Sequence, residues 1–203
     1  NRTYLSIRCK LEVAHGATLE TPLEGDNIAP NVNLAANLFR SARFDINGKT
    51  VCHIDDFLPQ IDSLKTRVNQ SALWIQSVGK STNFWSPDQN ENKTRVTSDG
   101  LGKNEFELIF VPPLSIFTDT DHALPSGNYT LVLNPQAASK YQVHAIESTG
   151  GNKAAVAHGA APVDTQFKFR VQSMHMYLAT VEGPRVRDGD YVLDLNEIRC
   201  QSK

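Results

Sequence analysis

The chain has 203 residues, of which 40% are hydrophobic and 21% are charged, and these are ordinary values for a globular protein. Its 20 basic and 22 acidic residues nearly cancel, so we expect no strong binding to nucleic acid through an overall positive field. The composition excludes collagen-like, coiled-coil and wholly disordered proteins, and the length predicts one domain with one large core.

The cysteines and the apolar stretches bear on redox state and membrane insertion. Cys9, Cys52 and Cys200 are an odd number without short spacing, so we expect reduced, buried thiols rather than a disulfide framework. The longest nearly apolar stretch, residues 108–117, contains two prolines and is far shorter than the roughly 20 residues of a membrane-spanning helix. We expect no membrane insertion, and no signal peptide, because a strand pattern begins at residue 3.

The first third of the chain predicts a long strand, two short helices and a hairpin. Apolar and polar side chains alternate over residues 3–13, which is typical of an antiparallel strand with one buried and one solvated face. Residues 33–40 have helical spacing, and residues 42–54 form strands around Asn47-Gly48, a pair that favours a type I′ turn. Residues 56–68 predict an amphipathic helix, whose apolar positions are Phe57, Leu58, Ile61, Leu64 and Val68.

The second half predicts mainly strands, separated by turn-forming residues. They follow a polar segment, residues 86–103, which we expect to be an exposed loop that folding does not require. The predicted strands are residues 106–111, 115–118, 129–133, 141–146, 166–181 and 191–200. In residues 166–181, strict alternation places Phe169 and His175 on one face and Arg170 and Met174 on the other. Both faces become apolar along the strand, which predicts a strand that begins at the surface and ends buried between layers.

About eight strands and two short helices, without β-α-β alternation, exclude doubly wound and (β/α)8 folds. The prediction is an all-β fold, an antiparallel two-sheet jelly-roll sandwich with long loops and one or two short helices. Residues 3–182 form the jelly-roll domain in this interpretation. Residues 183–203 are a linker and a strand that begins a second jelly roll or docks on a partner.

Motifs for nucleotide and metal binding are incomplete. The Gly79-Lys80-Ser81 sequence resembles the end of a phosphate-binding loop, but Trp74 stands where the motif needs its first glycine. Asp119, Asp121 and His122 have alternate spacing that suits a calcium loop, yet no further ligand follows, so a solvated turn is the better interpretation. Asp55-Asp56 is best explained as the N-cap of the helix over residues 56–68.

Catalytic motifs are missing as well. The histidines show neither HExxH nor His-x-His spacing and are expected to be structural: His15, His53, His122, His144, His158 and His175. Trp74, Phe84 and Trp85 lie near Lys80 and Lys93, a mixture that suits stacking of single-stranded nucleic acid but more often marks a rim or an interface. We therefore predict no enzyme, no catalytic, cofactor-binding or metal-binding residues, and no cofactor.

The order of several segments resembles the first jelly roll of double-jelly-roll major capsid proteins of the Polinton, virophage and adenovirus-like lineage. The resemblance runs through Ile28-Ala29-Pro30-Asn31-Val32-Asn33-Leu34, Leu38-Phe39 and Phe44-Asp45-Ile46-Asn47-Gly48-Lys49, then Phe106-Glu107-Leu108-Ile109, Ile116-Phe117, residues 127–133 and residues 167–181. It covers roughly residues 3–181. It implies a structural protein of the virion that forms homotrimers, contacts neighbouring capsomers and minor capsid proteins, and builds an icosahedral shell.

A second hypothesis is a single jelly-roll module that binds carbohydrate or another partner. Its sugar platform would consist of Trp74, Asn83, Trp85 and Asp88, since aromatic faces and polar groups together suit sugar rings. Assembly into trimers or particles would favour the capsid protein. A glycan-array signal that disappears in Trp85→Ala would favour the binding module.

Overall fold

The computed structural model describes residues 3–15, 18–20, 28–86, 92, 105–118, 124, 127–136, 143–145 and 167–179. Its strands are β1 (Tyr4–His15), β2 (Thr18–Glu20), β3 (Ile28–Pro30), β4 (Phe39–Ile46), β5 (Lys49–Ile54), β6 (Glu105–Phe110), β7 (Tyr129–Pro135), β8 (Val143–Ala145) and β9 (Phe167–Tyr177). Its helices are α1 (Leu34–Asn37), α2 (Leu58–Asn69), α3 (Ala72–Trp74), a π-helical turn (Ile75–Gly79), α4 (Lys80–Asn83) and α5 (Ser115–Thr118). A four-stranded and a three-stranded antiparallel sheet dominate this part of the chain.

The first sheet is built on β1. Strand β9 pairs with one edge of β1 from Tyr4 to Val13, so β6 and the short β2 share the other edge. The alternation predicted for β1 is confirmed, because Leu5, Ile7, Cys9 and Leu11 are all buried. Burial raises the pKa of the Cys9 thiol to about 12, and Cys9 and Cys52 are both buried and form no disulfide. The expectation of buried thiols without a disulfide is confirmed for these two cysteines, and burial makes the Cys9 thiol a poor nucleophile.

The second sheet has the order β5-β4-β7 and contains the predicted hairpin. Asn47 and Gly48 have φ values of 49° and 79°, which is the backbone of a type I′ turn. The turn is also held from the side. The backbone N–H of Asn47 donates to the carbonyl of Asn128 at 2.8 Å, and the N–H of Asn128 donates to Asn47 Oδ1 at 3.0 Å. This reciprocal pair joins the hairpin to the start of β7.

One hydrophobic core joins both sheets and the helices. Phe39 of β4 stacks on Phe110 of β6 with ring centroids 5.5 Å apart, which links the two sheets directly. Helix α1 contacts both β4 and β6, and its Leu34 is fully buried. The short strands β3 and β8 form a separate two-stranded ladder.

The helix content is higher than the sequence predicted. Residues 115–118 form helix α5 instead of a strand, because Pro112 and Pro113 end β6 and the Leu114 carbonyl then accepts the N–H groups of Phe117 and Thr118. Residues 72–83 are helical where no helix was predicted. The fold is therefore mixed and mostly strands, and the prediction of an all-β chain with one or two helices is wrong in this respect.

Two further local predictions are wrong. Helix α2 begins after Phe57, which has a φ of 62° and provides no side-chain cap, while Asp56 pairs with Arg40 at 2.6 Å. The predicted N-cap role of Asp55-Asp56 is therefore not observed. In the segment 86–103, the two described residues, Ser86 and Asn92, are both buried, and Asn92 Nδ2 donates to the Phe84 carbonyl at 3.4 Å. At these two residues the predicted exposed loop is therefore wrong, and the rest of the segment lies outside the described residues.

Candidate functional site

Strand β9 contains a bulge that reverses the faces predicted from its sequence. Arg8 of β1 pairs with Ser173 and Cys9 pairs with Val171, so Gln172 is an extra residue on β9. One inserted residue shifts the phase of alternation by one, and every later side chain changes face. Strict alternation predicted that Met174 and Val171 lie on opposite faces of the sheet. This prediction of the faces is therefore wrong beyond residue 171.

With the bulge, β9 has one apolar face. Met174 pairs with the buried Ile7, and Met176 pairs with the buried Leu5, so both methionines lie on the core side of the sheet together with Val171. Despite this, Val171, Met174 and Met176 are 47%, 39% and 37% exposed. The first sheet therefore extends sideways beyond the elements that cover β1 and β6. The prediction that β9 ends buried between layers is wrong.

We call Val171, Met174 and Met176, with Leu178 just beyond the strand, the β9 apolar surface. Leu178 is 64% exposed. The outer edge of β9 has no strand partner among the described residues, since its ladder runs to β1 alone. An apolar surface beside an unpaired strand edge is the usual form of a site for protein association.

The opposite face of the same sheet is polar and paired. Glu12 accepts a hydrogen bond from Arg170 Nε at 2.7 Å and lies 3.2 Å from Lys10 Nζ, and these contacts, Arg170 foremost, lower the pKa of Glu12. Gln172 Nε2 donates to Glu105 Oε1 at 3.0 Å, and Glu105 also pairs with Arg8 at 3.3 Å. These groups are satisfied within the sheet. The core-side face of β9 is therefore the face that leaves apolar side chains exposed.

Helix α2 exposes apolar side chains as well. Its apolar positions were predicted to face the core, yet only Leu58 and Ile61 are buried, while Leu64 and Val68 are 54% and 73% exposed. The helix is rotated about its axis so that Asp62, rather than Leu64, lies against the interior. The amphipathic helix itself is confirmed, but its buried face is not the one that the pattern indicated.

A buried polar cluster explains that rotation. Asn33 precedes α1 with a φ of 61°, and its Nδ2 donates to Asp62 Oδ2 at 2.6 Å. Asn83 Nδ2 donates to Asn33 Oδ1 at 2.7 Å, and Asn83 Oδ1 accepts the backbone N–H of Ala35 at 2.7 Å. All three polar side chains are buried, and together they tie α2 and α4 to the start of α1. No pattern in the sequence predicted this cluster.

The Gly-Lys-Ser sequence lies within a helix. Gly79 has helical backbone angles (φ −58°, ψ −45°), and the hydroxyls of Ser77 and Thr82 donate to the carbonyls of Leu73 and Val78 at 2.6 and 2.7 Å. A phosphate loop needs non-helical glycines whose N–H groups converge on the ligand. This geometry supports the interpretation that the motif does not bind nucleotide.

The four residues of the hypothetical sugar platform are not presented together. Asn83 and Trp85 are buried, and Trp74 is partly buried. The Trp85 ring instead packs under the guanidinium of Arg67, with 5.7 Å between Cζ and the ring centroid. Asp88 lies outside the described residues. A stacking platform for sugars or bases needs exposed ring faces, so this part of the alternative hypothesis lacks its geometry.

Most of the remaining candidate residues lie outside the described part of the chain. Asp119, Asp121 and His122 lie outside the described ranges, as do Lys93, Cys200 and residues 183–203. Within the described part, no three His, Cys, Asp or Glu side chains are grouped for metal binding. His53 lies 3.6 Å from Asp55, an exposed pair. No described helix has the length and apolar character needed to cross a membrane.

Comparisons of this chain with protein-family models, with curated proteins and with solved structures find no match.

Proposed function

We propose that this chain is a viral or virus-derived structural protein, a major capsid protein that self-associates as trimers to build an icosahedral shell. In this proposal residues 3–182 form one jelly roll, and the chain acts mechanically in the virion, without catalysis or cofactor. The β9 apolar surface carries the proposal. Three adjacent apolar side chains on the core side of a sheet remain exposed, which is typical of a subunit whose core is completed by its neighbour.

The organisation of the two sheets supports the same proposal. Some of the segments that resemble capsid proteins contribute to the framework of the two sheets: Leu34 is in the core, Phe39 bridges the sheets, and Asn47-Gly48 forms the turn between β4 and β5. Such residues are suited to keep the two sheets rigid. Lateral association then requires exposed apolar surfaces at the rim, and β9 provides one. The burial of Asn83 and Trp85 gives no support to the alternative of carbohydrate binding.

The experiment compares two double variants on the same strand. Met174→Glu with Met176→Glu places two charges on the β9 apolar surface, whereas Ser173→Glu with His175→Glu places two charges on the opposite face. Each methionine is already more than half covered, so its further burial contributes about 1 kcal/mol, and the charges add a desolvation penalty. We expect the methionine variant to weaken association at least about tenfold and the control to associate normally.

Light scattering after size-exclusion chromatography measures the oligomer, and negative-stain electron microscopy shows particles. Trimers in the wild type and in the control, with monomers in the methionine variant, support the proposal. A wild type that stays monomeric and forms no particle, even at high concentration, contradicts it. Loss of association in the control alone would show that the polar face forms the contact.

A further inference from the structure

We propose that Asp62 is a proton-controlled latch that holds helix α2 against α1 and α4, tight when the carboxyl is protonated and weaker when it is ionised. This inference is independent of the proposed capsid function. It depends on the geometry of three buried polar side chains, Asn33, Asp62 and Asn83, which form a continuous hydrogen-bonded chain between three helices.

The latch joins elements that otherwise have few apolar contacts. On α2, only Leu58 and Ile61 with the neighbouring Pro59 are buried apolar residues, and the outer side chains Leu64 and Val68 face solvent. Helix α1 has a single turn and is packed in the core, and Asn33 precedes it with a positive φ that its amide side chain tolerates. The attachment of α2 therefore depends strongly on the state of one carboxyl.

The surroundings of Asp62 favour the neutral form. Asn33 is the donor that contacts the carboxylate, at 2.6 Å, and it also lies 3.3 Å from Ser63 Oγ. Asn83 brings an amide rather than a charge into the cluster. Burial raises the pKa of Asp62 to about 6, against the smaller opposing effects of the Asn33 hydrogen bond and the positive charge of Lys65.

No cation on the described elements packed around Asp62 forms an ion pair with its carboxyl group. Helix α1 carries no ionisable side chain, α4 carries Lys80, and Lys65 of α2 donates to Thr118 Oγ1 at 3.1 Å. On β4, Arg40 pairs with Asp56 at 2.6 Å, and Arg43 pairs with Asp45 at 3.2 Å. The ionised carboxyl is therefore held by one short amide hydrogen bond and by the field of Lys65.

The sign of the pH effect follows from the two states of the helix. When α2 opens, Asp62 meets water and its pKa returns to the ordinary value of 3.8. The closed state thus binds the proton more strongly, so protonation stabilises it, and the stability of the closed state falls as the pH rises from about 4 through about 6. Between pH 5 and pH 7.5 the opening equilibrium constant is expected to increase about tenfold.

Hydrogen exchange of the full chain tests this effect. Protection factors remove the pH dependence of the intrinsic exchange rate, so wild-type amides within α2, from Ile61 onward, should lose about tenfold in protection from pH 5 to pH 7.5. The Asp62→Asn variant keeps an acceptor for Asn33 and should show no such change. Asp56→Asn is the matched control, because Asp56 is exposed at the start of α2 and its pKa is lowered by Arg40. It should retain the wild-type response.

Two further measurements keep the inference testable if Asp62→Asn does not fold. The Asp62 carboxyl carbon of the wild type should titrate by NMR with a midpoint near pH 6, and a midpoint near 4 would overturn the proposal. Asn33→Gly preserves the positive φ but removes the donor, so it should move that midpoint to higher pH. Equal pH responses of wild type and Asp62→Asn, or a wild-type response as large in β1 as in α2, would also show that no local latch exists.

Discussion

Replacement of Gly79 by alanine sets two known effects against each other. In a helix interior, alanine is normally more stable than glycine by about 1 kcal/mol. At Gly79, however, the new Cβ would lie 3.0 Å from Trp74 Cζ3, 3.2 Å from Trp85 Cβ and 3.3 Å from Trp85 Cδ1. Overpacking of this kind costs roughly 1–3 kcal/mol. The contact with Trp85 decides whether the substitution raises or lowers the free energy of unfolding.

Trp85 has little freedom to move away. It is 4% exposed, and its backbone N–H donates to the Gly79 carbonyl at 3.3 Å, so its Cβ is fixed relative to the π-helical turn. Trp74 is partly exposed and can shift its ring. We therefore expect Gly79→Ala to lower the free energy of unfolding by about 1 kcal/mol, a fall of roughly 2–4 °C in Tm for a chain of this size.

Urea denaturation followed by tryptophan fluorescence measures this change, and Ser81→Ala serves as control, because Ser81 is exposed on the neighbouring helix α4. The control should change stability by less than about 0.5 kcal/mol. A Gly79→Ala variant that is more stable than the wild type would refute the argument. It would show that the helical preference of alanine exceeds the effect of the tight contact with Trp85.

Two further substitutions test the turn and the buried cluster. Gly48→Val should lower stability by roughly 1–3 kcal/mol in urea denaturation, because Gly48 has a φ of 79° while the space around it is open. An unchanged midpoint would contradict the assigned turn. Asn83→Ala should destabilise the protein by about 1–3 kcal/mol, since it leaves the buried Ala35 N–H and Asn33 Oδ1 unpaired. A loss below about 0.5 kcal/mol in the same assay would show that water replaces the amide.

Local patterns predicted the elements whose structure depends on local chemistry. The alternation in β1 and the Asn47-Gly48 turn are both observed, because a buried sheet face and a positive φ leave direct traces in the sequence. Helix α2 was predicted from its spacing and is observed close to the expected bounds. Its buried face was not predictable, since Asn33, which attracts Asp62 inward, is distant in sequence.

The candidate site was less accessible to sequence reasoning. A bulge inserts one residue without a distinctive residue type, so strict alternation assigned Met174 and Met176 to the wrong face. The sequence did contain a sign of the bulge, since strict alternation gave this strand two apolar faces. A change of alternation near Gln172 would have placed the apolar residues on one face. Helix α5 was missed because Ile116 and Phe117 have strand preferences that the preceding prolines and the Leu114 carbonyl override.

The bulge at Gln172 also restricts which strands can add to β9. Bulges increase the local twist and bend the strand, so the outer edge offers two short ladders, before and after Gln172, that are out of step with each other. A straight neighbouring strand can follow one ladder and must leave the other. Only a partner with a compensating irregularity can join both, so the bulge disfavours indiscriminate aggregation along the described part of this edge.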